Sequence, residues 1–400
     1  MKSHVVESRA DLSAERGLAQ VTQDLLTLPT PALVLDIDRI DRNVARLAAI
    51  MARHQVILRP HLKTAKSVDV ARRLHPDGPG PITVSTLAEA EYFAREGGYK
   101  DITYAVGLDP AKASRALALS ACGVDLKLTL DSVEQAEALA KAASGAADRP
   151  SVMIEIDCDG HRGGLAPDHA DLAGVANAVT SAGLALAGVL THAGASYDLH
   201  DPEALAKAAE NERAAAVYAA ERLRASGHDC PVVSVGSTPT SHFARDLAGV
   251  TEVRAGVFMF FDLVMHGIGV CDVDDIALSV LTTVIGTKPE KGWILVDAGW
   301  MALSRDRGTS KQAVDQGYGL VCDADGNAFG DLIVEQANQE HGIIALRSGS
   351  GDALPSLPVG TRLRILPNHA CATGAQHDAY NVVRTGGKDV VGVWPRMRGW

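Results

Sequence analysis

ALVLDIDRIDRNVARLAAIMARHQVILRP, residues 32–60, reads as strand, helix, strand. The apolar run at 32–37 has strand texture, and 39–54 repeats its apolar residues at i, i+3, i+4 and i+7. VILRP (56–60) is a second short apolar run. The unit recurs down the chain, with further strand candidates at ITVS (82–85), ITYAV (102–106), LKLTL (126–130), SVMIEID (151–157), LAGVLTHA (186–193), VVSVGS (232–237) and TEVRAGV (251–257). Ala-rich helical stretches such as EQAEALAKAASG (134–145) and PEALAKAAENERAAAVYAAERLRASG (202–227) lie between them. About eight repeats of this unit predict an α/β fold, a (β/α)8 TIM barrel. A doubly wound open sheet shares the alternation, and the lack of a GxGxxG turn favours closure.

After about residue 270 the texture changes. ALSVLTTVIGT (277–287), GWILVDAG (292–299), HGIIALR (341–347) and TRLRILP (361–367) alternate without Ala-rich helix between them, separated by Gly, Asp and Pro turns. The chain is therefore expected to divide into an N-terminal extension (1–27) packing on the β domain, a (β/α)8 barrel (28–270) and a C-terminal mostly-β domain (271–400).

Composition narrows the partners. A net charge of −11 with no basic stripe argues against nucleic acid or an anionic membrane, and leaves a small molecule as the expected substrate. Six scattered cysteines without CxxC spacing suit a reducing compartment. The first twenty residues have no apolar h-region, and nowhere do 18 uncharged apolar residues run together. A cytoplasmic location follows as an expectation.

In a barrel, chemistry sits where strands end and βα loops begin. RPHLKTAKS (59–67) gathers Arg59, His61, Lys63 and Lys66 at such an end, in an otherwise acidic chain. Like charge and desolvation there would lower the pKa of Lys63 and suit its amine to condensation with an aldehyde cofactor; a plainly basic surface loop has the same composition. VGSTPT (235–240) supplies glycine, serine and threonine after an apolar strand, donors suited to a phosphate or to an ordinary polar turn. THAGASY (191–197) brings His192, Ser196 and Tyr197 to the same mouth, and DGHRGG (159–164) brings Arg162. Phosphate donors together with a lysine amine are what pyridoxal phosphate requires.

The β domain offers LPNHACATGAQ (366–376), in which His369 and Cys371 leave one face of an extended segment and can grip one divalent metal; Cys371 could equally be a small apolar core residue. NQEHG (338–342) adds Glu340 and His341 as candidate bases or outer ligands, and DAGWMALSRDRG (297–308) reads as a polar loop reaching for a partner's site.

These segments, in this order, resemble the fold-type III pyridoxal phosphate enzymes of the D-serine dehydratase and D-threonine aldolase group. TPALVLDIDRIDRN (30–43), RPHLKTAKS, THAGASY, VGSTPT, EVRAG (252–256), DAG (297–299), EHG (340–342) and PNHAC (367–371) carry the resemblance, which runs from about residue 28 onward. It implies an alanine-racemase-like barrel, a β domain, a homodimer with shared active sites, pyridoxal 5′-phosphate and a divalent metal. By position, Lys63 would be the Schiff-base lysine, and Gly236, Ser237 and Thr238 would take the phosphate, with Ser196, Tyr197, His192 and Gly256 beside them. His61 and Arg59 would hold the ring and its O3′, and Arg162 would make the pyridine-side contact. Lys66 is expected to be merely solvated. His369 and Cys371 would hold the metal, zinc or manganese, with cobalt and nickel as further candidates.

The reaction implied is dehydration of D-3-hydroxy amino acids, with D-threo-3-hydroxyaspartate giving oxaloacetate and ammonia and D-serine-type substrates as further candidates. The substrate's second carboxylate needs a cation or the metal itself, and the source is left open between Arg305, Arg307 and a barrel residue. The alternative is an aldolase that breaks Cα–Cβ, and a more distant one is a non-catalytic pyridoxal phosphate carrier. In this group's aldolases the second ligand is usually Asp, so His-x-Cys favours elimination.

Overall fold

The structure is a computed structural model and describes residues 23–400. Eight parallel strands form the N-terminal half: Ile57–Pro60, Ile82–Val84, Asp101–Gly107, Asp125–Leu130, Ser151–Ile156, Leu186–Thr191, Val232–Val235 and Glu252–Ala255. Each pairs with its sequence neighbour, and the last returns to the first, with Glu252 opposite Ile57 and Ala255 opposite Pro60. Between the first two strands the link is a single bridge, His61 with Thr83. The sheet therefore curls into a barrel that is nearly closed, and its one seam is bridged at the start of the RPHLKTAKS loop.

The helices that follow the strands end where their sequences say they should. Ser132 and Thr86 accept the backbone N–H three residues on, Asp201 does the same ahead of Pro202, and the helix Leu87–Gly97 stops on Gly98 in the left-handed region. Leu205, Ala209, Ala216, Ala220 and Leu223 of the helix Pro202–Ala225 recur at helical spacing and are buried against the barrel.

One expected barrel strand belongs elsewhere. Ala32–Asp36 lies in the second sheet, antiparallel to Leu278–Lys288 and parallel to Ala379–Val383. All five of its residues are buried, so its apolar run fits the middle of any sheet, and the sequence reading had nine strand candidates for eight places. The helix Ile37–His54, with Asp36 accepting from Asp38 and Arg39 N–H groups, then carries the chain across to the barrel.

The second sheet has nine strands, in the order Trp293–Val296, Gly342–Leu346, Ala328–Ala337, Leu320–Asp323, Arg362–Leu366, Leu278–Lys288, Ala32–Asp36, Ala379–Val383, Gly392–Pro395. A further pairing of Leu278–Lys288 with Trp293–Val296 closes six of them on themselves. Of the N-terminal extension, residues 1–22 lie outside the described residues. Gln23–Asp24 pairs with Asp389–Val390, and Leu25 and Leu28 pack with Ala32, Val34, Leu281, Val383 and Val390 of the β domain.

Candidate functional site

Strand ends, and the helix that begins beside His369, converge on one cavity of about 430 Å³. It is lined by His61 and Lys63 from the first barrel loop, Arg162, His192 and Tyr197 from the fifth and sixth, and Gly236, Ser237, Thr238 and Gly256 from the last two. His369 and Cys371 of the β domain line it too. Of the residues singled out in the sequence for the cofactor and metal, Ser196 and Arg59 do not line it, and Ser196 sits just behind the wall. It is buried, donates to Ala193 O at 2.7 Å and meets Ser237 Oγ at 2.9 Å.

The glycine–serine–threonine loop is held from below by one carboxylate. Glu212, buried on the helix Pro202–Ala225, accepts Ala193 N–H at 2.8 Å, Gly236 N–H at 3.0 Å and Thr240 Oγ1–H at 2.7 Å. Burial raises its pKa, and these donors act against that rise. Gly236 has φ +144°, and a Cβ there would lie 1.9 Å from Arg254 O, so only glycine fits. Gly256 is similarly bare, with a Cβ 2.9 Å from Thr64 Oγ1 and 3.2 Å from His61 O. Ser237 caps the short helix Thr238–Phe243 by accepting Thr240 N–H at 3.2 Å. The hydroxyl of Thr238 is different: it is buried and has no hydrogen-bond partner among the described residues. A buried hydroxyl left unpaired costs about 1–3 kcal/mol, so this one fits an acceptor such as a phosphate oxygen.

Two of the three histidines that line the cavity, His61 and His192, are held below the usual imidazole range and are neutral at pH 7. Burial, then the charges of Lys63, Arg254 and His192, lower His61 well below its usual value. Burial, with the nearby cations, brings His192 down to about 4. His192 Nδ1 donates to Gly236 O at 2.8 Å, which leaves Nε2 as the acceptor. Lys63 is exposed on the cavity wall rather than desolvated as expected.

On the part of the wall supplied by the β domain, His369 stands just before the helix Ala370–Gly374 and Cys371 within its first turn. Asp306 Oδ2 holds His369 Nδ1 at 2.6 Å, and Cys371 Sγ lies 3.3 Å from Thr64 Oγ1, next to Lys63 in sequence. Burial alone would lower His369, but Asp306 and Cys371 outweigh it and hold the imidazole up to about 11. Burial alone would raise Cys371, and the pairing with His369 brings the thiol below its usual range. The sulfur is therefore poised as the thiolate that a metal ligand must be. Among the described residues no three His, Cys, Asp or Glu side chains converge to hold a metal ion by themselves, so a cation gripped by this pair would need its remaining ligands from elsewhere.

Other residues singled out in the sequence fall outside the cavity. Arg59 is spent in a buried network, at 2.7 Å from both Glu252 Oε2 and Asp101 Oδ1, with Lys127 on the same Asp101 oxygen at 2.8 Å. Side chains alternate along a strand, and Arg59 falls on the interior face two positions before His61. Lys66 is not merely solvated: Nζ lies 3.2 Å from Oε1 of the buried Glu89. Glu340 and His341 are exposed on a turn, and Arg305 and Arg307 stack on Trp300 and Tyr318, Arg307 also pairing with Asp315 at 2.7 Å. The sequence reading missed Asp306, between those two arginines. It also missed Arg254, which lines the cavity while donating to Ser234 Oγ and Thr191 O, both at 2.5 Å. Only a buried arginine's need for several acceptors could have flagged the second.

The alanine racemase N-terminal domain matches residues 35–264, and a putative serine dehydratase domain matches 277–383. The D-threo-3-hydroxyaspartate dehydratase of Delftia sp. (strain HT23) is 54% identical over 379 residues, 94% of this chain and 99% of that one. Solved structures of an enzyme of that name include a histidine-to-alanine variant and a cysteine-to-alanine variant two positions further on, the latter in the metal-free form. The cysteine variant superposes with a TM-score of 0.90 at 53% identity over 94% of this chain and 100% of its own. The 3-hydroxy-D-aspartate aldolase of Paracoccus denitrificans (strain Pd 1222) is 29% identical over 92% of this chain and 91% of its own.

Proposed function

The chain belongs to the pyridoxal phosphate-dependent fold-type III family that joins an alanine racemase N-terminal domain to a serine dehydratase domain, and we propose that within it the protein is a metal-activated dehydratase of D-3-hydroxy amino acids. It is a lyase. Its substrate on this reading is D-threo-3-hydroxyaspartate, giving oxaloacetate and ammonia, with D-serine-type substrates as a narrower activity. The observation that carries the reading is that Lys63, the His369–Cys371 pair and Thr238, whose hydroxyl is unpaired, line one cavity.

The residues fit both groups. Lys63 would hold the pyridoxal carbonyl carbon, Gly236, Ser237 and Thr238 the phosphate, and His61, His192, Tyr197, Arg162 and Gly256 the ring's surroundings, with Ser196 bracing Ser237 from behind. His369 and Cys371 would hold the divalent cation, zinc or manganese, with cobalt and nickel also compatible with an open His/Cys site. When bound, the ring supplies a sink for the electron pair left at Cα, and the cation supplies Lewis acidity to the β-hydroxyl. Lys63 Nζ is the group that removes the Cα proton. Its neighbours His61 and His192 are neutral and add no positive charge beside it. Asp306 keeps the His369 ring turned so that Nε2 is the atom left for the cation. Loss of the Cα proton and the β-hydroxyl as water leaves an enamine, which hydrolyses after release to the 2-oxo acid and ammonia.

Cleavage of Cα–Cβ is the second reading, and it draws on the 29%-identical aldolase. Cysteine as second ligand and the 54%-identical dehydratase favour elimination. A carrier without catalysis would leave the β domain and its ligand pair without a role. The protein is further proposed to be a homodimer whose subunits complete each other's cavities. Met301 and Val314, both exposed, flank the segment that borders the cavity at Asp306 and Gly308 and support this. Six free cysteines support a cytoplasmic location.

Incubation with D-threo-3-hydroxyaspartate, D-serine and D-threonine, with and without a chelator, tests the reading. It expects 2-oxo acid and ammonia that chelation abolishes. Glycine or glyoxylate as the product would overturn it in favour of the aldolase.

A further inference from the structure

Arg396, just past the Gly392–Pro395 strand, is buried, and no ion pair of its guanidinium occurs among the described residues. The nearby Asp378 pairs with Arg398 instead, at 2.8 Å. The donors of Arg396 go to oxygens of two segments far apart in sequence. Nε lies 3.2 Å from Ala65 O and 2.7 Å from Tyr380 Oη, and Tyr380 itself donates to Ala65 O at 2.8 Å. The NH1 group donates to Gly374 O and, at 3.2 Å, to His377 O. Next door, Met397 N–H donates to Lys66 O at 2.7 Å.

Ala65 is two residues from Lys63, in the barrel. Gly374 ends the helix that begins with Ala370 and Cys371, in the β domain. One guanidinium therefore ties the amine's loop to the metal-ligand helix, across a domain boundary that neither fold fixes alone. Burying a cation with no counter-charge is a poor route to stability, since apolar packing of equal volume does as well or better. Its rigid fork of donors does what apolar packing cannot, which is to set two backbones at one distance. Gly374 is matched to it, because a Cβ there would come to 3.2 Å from NH2 and 3.4 Å from Cζ.

We propose that Arg396, seated on Tyr380, is a positioning residue that fixes the separation between Lys63 and the His369–Cys371 pair. The inference rests on the reading of those residues as amine and metal ligands. Its test compares the holoenzyme with Arg396→Met, Arg396→Lys and Gly374→Ala, the last of which leaves the arginine in place but presses a methyl on it. Affinity for manganese and zinc is measured by competition with a fluorescent chelator, cofactor content by absorbance, and kcat and KM separately. The expected result is a metal Kd weakened about tenfold or more in both Arg396 variants, as for other residues that orient metal ligands, and several-fold in Gly374→Ala. Cofactor content stays full, and kcat falls more than KM rises. Wild-type metal Kd in a folded Arg396→Met protein would overturn the proposal. If Arg396→Met does not fold, unchanged metal Kd in Gly374→Ala overturns it instead. A wild-type protein that takes up neither metal would sink the reading of the ligand pair, and this inference with it.

Discussion

Replacing Thr238 by valine exchanges a hydroxyl for a methyl of nearly the same shape, and the two states of the protein should respond with opposite sign. Without cofactor, Thr238 Oγ1 is buried and unpaired, so removing it relieves a desolvation penalty of about 1–3 kcal/mol and adds a buried methyl. The apoprotein should be as stable as wild type or more so, by up to about 1 kcal/mol once imperfect packing is allowed for. With cofactor, the same hydroxyl should donate to a phosphate oxygen, a charge-assisted bond worth about 1.5–3 kcal/mol. Dividing by about 1.4 kcal/mol per decade gives a cofactor Kd weakened roughly tenfold to a hundredfold. Thr240→Val is the control with the contrary sign in the apoprotein, because Thr240 Oγ1 donates to the buried Glu212 carboxylate at 2.7 Å and its loss leaves that group short of a partner. Urea unfolding of the two apoproteins and absorbance titration with pyridoxal phosphate supply the numbers. An apoprotein weakened by Thr238→Val, or a cofactor Kd left unchanged, would refute the placement of the phosphate.

Three other outcomes are expected. Asp306→Asn, which loses the charged partner of His369 Nδ1, should weaken metal binding about 10- to 100-fold while leaving cofactor content intact, by chelator competition and absorbance. Apoprotein stability should fall as pH drops from about 6.5 to 4, because His192 and His242 titrate near 4 when folded and near 6.5 when unfolded. In that window the unfolded chain binds more protons, so stability rises with pH; each histidine contributes on the order of 3 kcal/mol, and His242→Gln should flatten the urea-midpoint profile. Arg59→Met, which leaves the buried Glu252 carboxylate without its cation while the partly exposed Asp101 keeps Lys127, should cost about 3–5 kcal/mol of stability, and a loss below about 1 kcal/mol would show the network to be solvated.

The barrel was legible because each βα unit buries its own apolar face locally, so periodicity alone exposes it. Ala32–Asp36 misled for the same reason: a strand buried on both sides carries no mark of which sheet it joins, and its partners, Leu278–Lys288 and Ala379–Val383, lie more than 200 residues away. Short strands such as Leu320–Asp323, between glycine-rich turns, gave too little alternation to be seen. The site residues that end barrel strands were readable from position, since strand ends define the mouth. Asp306 and Arg396 were not, because each acts through contacts distant in sequence, Asp306 with His369 within the β domain and Arg396 with Gly374 there and with Ala65 of the barrel.

The central claim is that the cation held by His369 and Cys371 draws off the hydroxyl while Lys63 handles the Cα proton. Exchange of the Cα proton of D-threo-3-hydroxyaspartate with deuterated solvent, followed in Cys371→Ala protein saturated with cofactor, separates the two roles. The account predicts that Cα exchange persists while oxaloacetate formation falls at least about a hundredfold. Oxaloacetate formed at the wild-type rate by that variant, with no metal bound, would contradict it.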